Sequence, residues 1–278
     1  MWTQLVRGLL AVAALVATGC FVEPHKPAAT ADAPLVDTPA DGTAAAAPVA
    51  RKIASAWYSA ETTPSAGMSA NGYSVPTAGI NNGDLVLFIA NIDNGSNTTW
   101  PLPTASFHQI EQINYGGDGQ TFFAAWAIAN NEPAAYAQSY SGSLNSASAA
   151  VTLLAVTGAD PTHPIETDMP KLGANSAPVV LASDGVTTTL PSSLVIFAGG
   201  ADWATPDETA TFTPPAGYDV LDEISDKGGL TFQWTLQLVA SKVIPAAGAT
   251  GSLSGSIATA PNVSGAPWTL TIAIAPAP

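Results

Sequence analysis

The chain has 278 residues, with 21 acidic side chains against seven lysines and arginines, a formal net charge of −14. A sequence pI near 4.2 argues against nucleic acid as a partner, because binding it requires Lys and Arg to neutralise phosphates. A single cysteine permits no intrachain disulfide, so stability must come from an apolar core, and 47% apolar residues at this length are ample for one.

In chain order, Met1 to Arg7 carries one positive charge and no negative one. Gly8 to Val16 is apolar throughout, and Ala17-Thr18-Gly19 sets small residues before Cys20. This is the anatomy of an export signal with its cleavage site. The apolar run is shorter than the ~20 residues that span a bilayer, and ordinary secretion would leave a free thiol outside the cell. The segment resembles the lipobox of bacterial lipoproteins, although Ala17 stands where such motifs usually carry Leu. The resemblance implies a signal peptide over residues 1–19, lipidation of Cys20 by palmitate-type chains, and a membrane anchor. Phe21, which is not the Asp that tends to retain enteric-type lipoproteins at the inner membrane, points to the outer membrane or cell surface of a bacterial envelope.

Residues 20–50 are rich in Ala and Pro with no apolar period, and read as a disordered tether. From residue 51 the period becomes two. Phe232, Trp234, Leu236 and Leu238 alternate with Thr and Gln, and Trp268, Leu270, Ile272 and Ile274 alternate with Thr269, Thr271 and Ala273. Both runs read as strands with one solvent face. Leu85–Ile89, Leu153–Val156 and Leu194–Phe197 are apolar on both faces, as covered strands are.

An internal duplication runs through this region at an offset of roughly 110 residues, long for a solenoid unit. Gly83-Asp-Leu-Val-Leu-Phe is answered by Ser193-Leu-Val-Ile-Phe, Phe107-His-Gln-Ile by Tyr218-Asp-Val-Leu, and Tyr115-Gly-Gly-Asp-Gly by Ser225-Asp-Lys-Gly-Gly. The expected fold is all-β: an antiparallel two-sheet β-sandwich, jelly-roll-like, built as one domain over 51–278 from related halves at about 51–170 and 171–278. Each half alone has too few strands to close a core. Val75-Pro-Thr-Ala-Gly79, Thr213-Pro-Pro-Ala-Gly-Tyr218, Gly158-Ala-Asp-Pro161 and Gly248-Ala-Thr-Gly251 are similar to motifs of uncharacterised β-sandwich domains in exported bacterial and phage-associated proteins. That resemblance covers Ile53 to Pro276, implies the fold, and names no activity.

Chemistry-bearing motifs are sparse. No Gly-x-Ser-x-Gly occurs, and the three histidines, His25, His108 and His163, show no zinc spacing. Asp160, His163, Glu166 and Asp168 gather in one connection, where acids around Pro161 and Pro164 read as a solvated turn. Asp202, Asp207 and Glu208, and the run Asp219, Asp222, Glu223 and Asp226, are weak calcium candidates that match no known loop spacing. No metal and no cofactor is expected. Aromatics near turns are the better lead. Trp100, Trp203 and Tyr115, with Tyr73, Tyr136 and Tyr140 close to turns, are candidates to stack on sugars or anchor a protein partner. Capping of the sandwich ends is the weightier reading for Trp100 and Trp203. Trp126, Trp234 and Trp268 lie on apolar faces and read as core.

The expectation is a lipid-anchored, non-catalytic binding or structural module whose ligand is a glycan or, second, a protein. An exported glycosidase-like hydrolase using loop carboxylates and a passive envelope component are the alternatives.

Overall fold

The computed structural model describes residues 45–59, 67–69, 71–93, 100–115, 120–140, 148–174, 176, 178–203, 210–225, 234–258 and 267–278. Signal, Cys20 and all but the last residues of the tether lie outside them. The first half contains β1 (Val49–Ser59), β2 (Met68–Ser69), β3 (Gly72–Pro76) and β4 (Leu85–Asp93). It continues with β5 (His108–Tyr115), β6 (Gln120–Ile128), β7 (Ala135–Ser139) and β8 (Ser148–Thr157). The second half begins with β9 (Ile165–Leu172), β10 (Val179–Ser183), β11 (Thr187–Thr188), β12 (Ser193–Trp203) and β13 (Thr211–Thr213). It ends with β14 (Asp219–Ser225), β15 (Trp234–Ile244), β16 (Gly248–Ala249), β17 (Leu253–Ala258) and β18 (Trp268–Ile274).

All strand pairing is antiparallel, as expected of an all-β sandwich. One large sheet runs β1-β8-β4-β6-β5 and the other β9-β18-β12-β15-β14. The two orders are the same order, read through the duplication. Register confirms it: Phe88 pairs with Ala125 and Leu153, and Phe197 pairs with Ala240 and Thr271. β5 carries a bulge between Gln109 and Glu111, and β14 carries its counterpart between Val220 and Asp222. Bulges hold position because they re-aim a side chain. Gly83 and Ser192, just ahead of β4 and β12, both take positive φ, 87° and 63°. The boundary between halves therefore falls ahead of β9, so residues 165–170 belong to the second half.

The large sheets pack face to face on Leu85, Leu87, Ile89 and Leu154 against Leu194, Ile196, Leu270 and Ile272. Among the described residues two three-stranded sheets form outer layers, and β11 pairs with β16 as a separate ribbon. The sheet β2-β3-β7 covers the outer face of the first large sheet, burying Val86, Phe88 and Val151. The sheet β10-β17-β13 does the same for the second, over Val195, Phe197 and Leu238. Each half thus closes a core of its own, contrary to the expectation from strand number, and a third core joins them.

This layering overturns one reading of faces. The Thr and Gln positions of β15 and β18 are buried, not solvent-facing. Thr269 donates to the Ala182 carbonyl at 2.9 Å, and Thr271 shares a hydrogen bond with Ser183 at 2.7 Å. Gln237 donates to Thr152 at 2.7 Å across the large-sheet interface. Buried polar groups are tolerable where partners meet them.

Candidate functional site

The structure separates the residues that the sequence singled out. Trp100 is 2% exposed and sits among Tyr73, Phe88, Phe123 and Tyr140, with its ring 5.3 Å from Tyr140 and 5.6 Å from Tyr73. It is a core residue of the first half and presents no face to a ligand, which corrects its candidacy for binding. The same holds for Tyr73, Tyr136 and Tyr140, all buried. The segment ahead of β5 lies down on the outer face of the large sheet, so a ring read as a loop aromatic becomes packing.

Trp203 closes β12 opposite Trp234, and Tyr115 closes β5 opposite Gln120. Their side chains, like that of Asp202, lie outside the described portion, as do Asp207, Glu208, Asp226 and His25. Trp268 is buried as expected, and Trp126 is half-buried under the His108 ring, 4.6 Å away.

Four of the described acids, Asp84, Asp222, Glu166 and Glu132, accept from donors of the fold itself. Asp84, at the head of β4, accepts from Thr157 at 2.7 Å, from the Asn81 amide at 2.8 Å, and from Arg51. Burial pushes its carboxyl up, but the Asn81 amide, the Thr157 hydroxyl and the Arg51 guanidinium outweigh that and hold it below the usual carboxylate range. Asp222 accepts from Lys52 at 3.0 Å and from Thr152 at 2.6 Å, joining the two large sheets. Glu166 accepts from Thr189 at 2.8 Å and from Ser193. Glu132 takes the Tyr136 hydroxyl at 2.7 Å.

Asp160 closes an Asx turn on Thr162 and the His163 amide, and those bonds lower its carboxyl. Asp160, His163, Glu166 and Asp168 do not converge. Among the described residues no group of three or more His, Asp or Glu could hold a metal ion.

Among the described residues, grooves indent both outer layers. The larger, about 560 Å³, lies over β2, β3 and β7 and is lined by Ser69, Asn71, Ser74 and Gln138, with no charged side chain. The smaller, about 360 Å³, lies between the Pro215–Tyr218 turn, the end of β15 and the approach to β17. It holds Lys242, Tyr218, Thr250, Ser252 and Ser254. The only trace of this second groove in the sequence is Lys242, the one charge in the run Leu238–Ile244.

Compared with known proteins, the chain matches no family model, no curated protein and no solved structure.

Proposed function

We propose that this chain is a lipid-anchored module of the bacterial envelope, tethered through Cys20, that binds a surface glycan without catalysis. The observation that carries the non-catalytic part is the engagement of Asp84, Asp222, Glu166 and Glu132 as acceptors for the fold's own donors. A glycosidase needs an acid and a base or nucleophile facing one cleft, and the two outer grooves are lined by hydroxyls, amides and one ammonium with no carboxylate. Such linings suit hydroxyl-rich ligands in shallow depressions. Arg51, Lys52 and Lys171 are each spent on Asp84, Asp222 and Asp184, which supports a partner other than nucleic acid. The anchor rests on the anatomy of residues 1–20, which fits lipid attachment better than a membrane span.

Two measurements test the proposal. Cells fed labelled palmitate should yield a labelled chain in the membrane fraction, and Cys20→Ser should lose both label and membrane association. Detergent-extracted protein incubated with envelope polysaccharide should retain it on a column and release no reducing ends. Release of sugar by the wild-type chain establishes the hydrolase instead, and an unlabelled thiol on native protein removes the anchor.

A further inference from the structure

The smaller groove contains the one described cation that no carboxylate meets. Among the described residues Arg51, Lys52 and Lys171 are ion-paired, whereas Lys242 on β15 has no acidic partner within bonding distance. Its Nζ stands 5.7 Å from the centroid of the Tyr218 ring, a cation–π contact that holds the ammonium without neutralising it. On the other side the Tyr218 ring meets Phe197, 6.5 Å away and nearly perpendicular, so the platform under the ammonium is braced by the core.

Gly217 completes the seat. Its φ of +76° suits glycine, and a Cβ there would stand 3.1 Å from Lys242 Nζ. A side chain at this position would press on the ammonium as well as strain the turn.

The rest of the wall has the mixed character of a sugar site. Ser252 and Ser254 supply hydroxyls, Thr250 holds the wall through its bonds to the Val186 amide and the Gly251 carbonyl, and Pro215, Ile244 and Leu253 supply apolar contact. A volume of about 360 Å³ lies at the small end of small-molecule sites. Burial pushes the Tyr218 phenol up to about 12, so it stays neutral and repels no anion. A lone ammonium beside neutral hydroxyls selects a single negative charge on a hydroxylated ring.

We infer that the groove formed by the Pro215–Tyr218 turn, Lys242 and Thr250–Ser254 binds an acidic sugar, with Lys242 holding its carboxylate. The inference rests on the glycan-binding reading above and names the ligand class at one site. It does not depend on the anchor. Loss of palmitate label leaves it standing, and loss of acidic-sugar binding leaves the anchor standing.

The test titrates the full chain in detergent, by calorimetry, with a glucuronate-containing oligosaccharide, the matching all-glucose oligosaccharide, and poly-glutamate. The acidic sugar should bind at least about tenfold more tightly than the neutral one, as for one charge-assisted contact. Lys242→Gln should abolish that preference and Lys242→Arg should keep most of it, each with an unchanged melting temperature. Equal affinity for both sugars, no affinity for either, unchanged affinity in Lys242→Gln, or stronger binding of poly-glutamate overturns the assignment. If Lys242→Gln does not fold, the wild-type preference for the acidic sugar and its survival in Lys242→Arg decide the matter.

Discussion

The two margins of the interface between the large sheets are built from corresponding strands and have opposite chemistry. At one margin β1 packs against β14, and Lys52, Asp222, Thr152 and Gln237 form a hydrogen-bonded chain across the sheets. The other margin is bounded by β5 and β9, the counterparts of β14 and β1. Register places Asp168 where the first margin has Lys52, and Glu111 where it has Asp222. Phe122 stands in place of Gln237 and Leu270 in place of Thr152. Trp268 fills the space there, stacked on Phe122 at 4.1 Å. The backbone plan was kept while the two margins divided the work: one fixes how the sheets register through directional bonds, and the other supplies apolar area.

The sharpest way to break the apolar margin is Trp268→Ala. The ring is 1% exposed, and its removal should cost about 3–5 kcal/mol in urea denaturation. At the polar margin, Lys52→Met should cost about 1–3 kcal/mol, because it removes one of two donors from a carboxylate only 2% exposed, although the ammonium itself is 44% exposed. Pairing it with Asp222→Leu should recover much of that loss. If Lys52→Met is as costly in the Asp222→Leu background as in wild type, the ion pair does not hold this margin together.

A smaller effect, opposite in sign at two carboxylates, sharpens the contrast further. Burial raises Asp168 above the ordinary carboxylate value, so the folded state loses stability as pH rises from that value through the raised one. Asp168→Asn should match wild type in acid and melt higher near neutrality. Asp84 is held low, so its contribution is present above the ordinary value and lost as pH falls through the lowered one. Asp84→Asn should therefore flatten the acid limb of a melting profile. The least consequential change is Lys171→Met, since its partner Asp184 is 66% exposed and such pairs are worth about 0–1 kcal/mol.

Much of the fold was legible because strand faces repeat every second residue. The alternation at Trp268, Leu270, Ile272 and Ile274 falls on β18, and the duplication is matched by the shared strand order of the two large sheets. Burial of the polar faces was not legible. A Thr-Gln-Thr stripe that meets Ser183 or Thr152 has the same letters as one that meets water. The outer layers hid for a related reason: β2 and β13 are two and three residues long, too short to show a period. Trp100 misled because proximity to Asn, Thr and Pro marks a loop in sequence without saying whether the loop is laid over a sheet. Lys242 was not legible because one charge in a strand of mixed polarity acquires meaning only beside Gly217 and Tyr218.

The link between the halves, residues 158–164, is short, and Asp160 pins it with its own turn. Had the two sandwiches met as separate identical subunits, every contact would have occurred twice, and a cation placed at one rim would have reappeared at the other. Joining them in one polypeptide lifts that obligation. A single peptide connection thus makes asymmetry available to a pseudo-symmetric pair, and lets one copy change its outer surface while its twin keeps the old one.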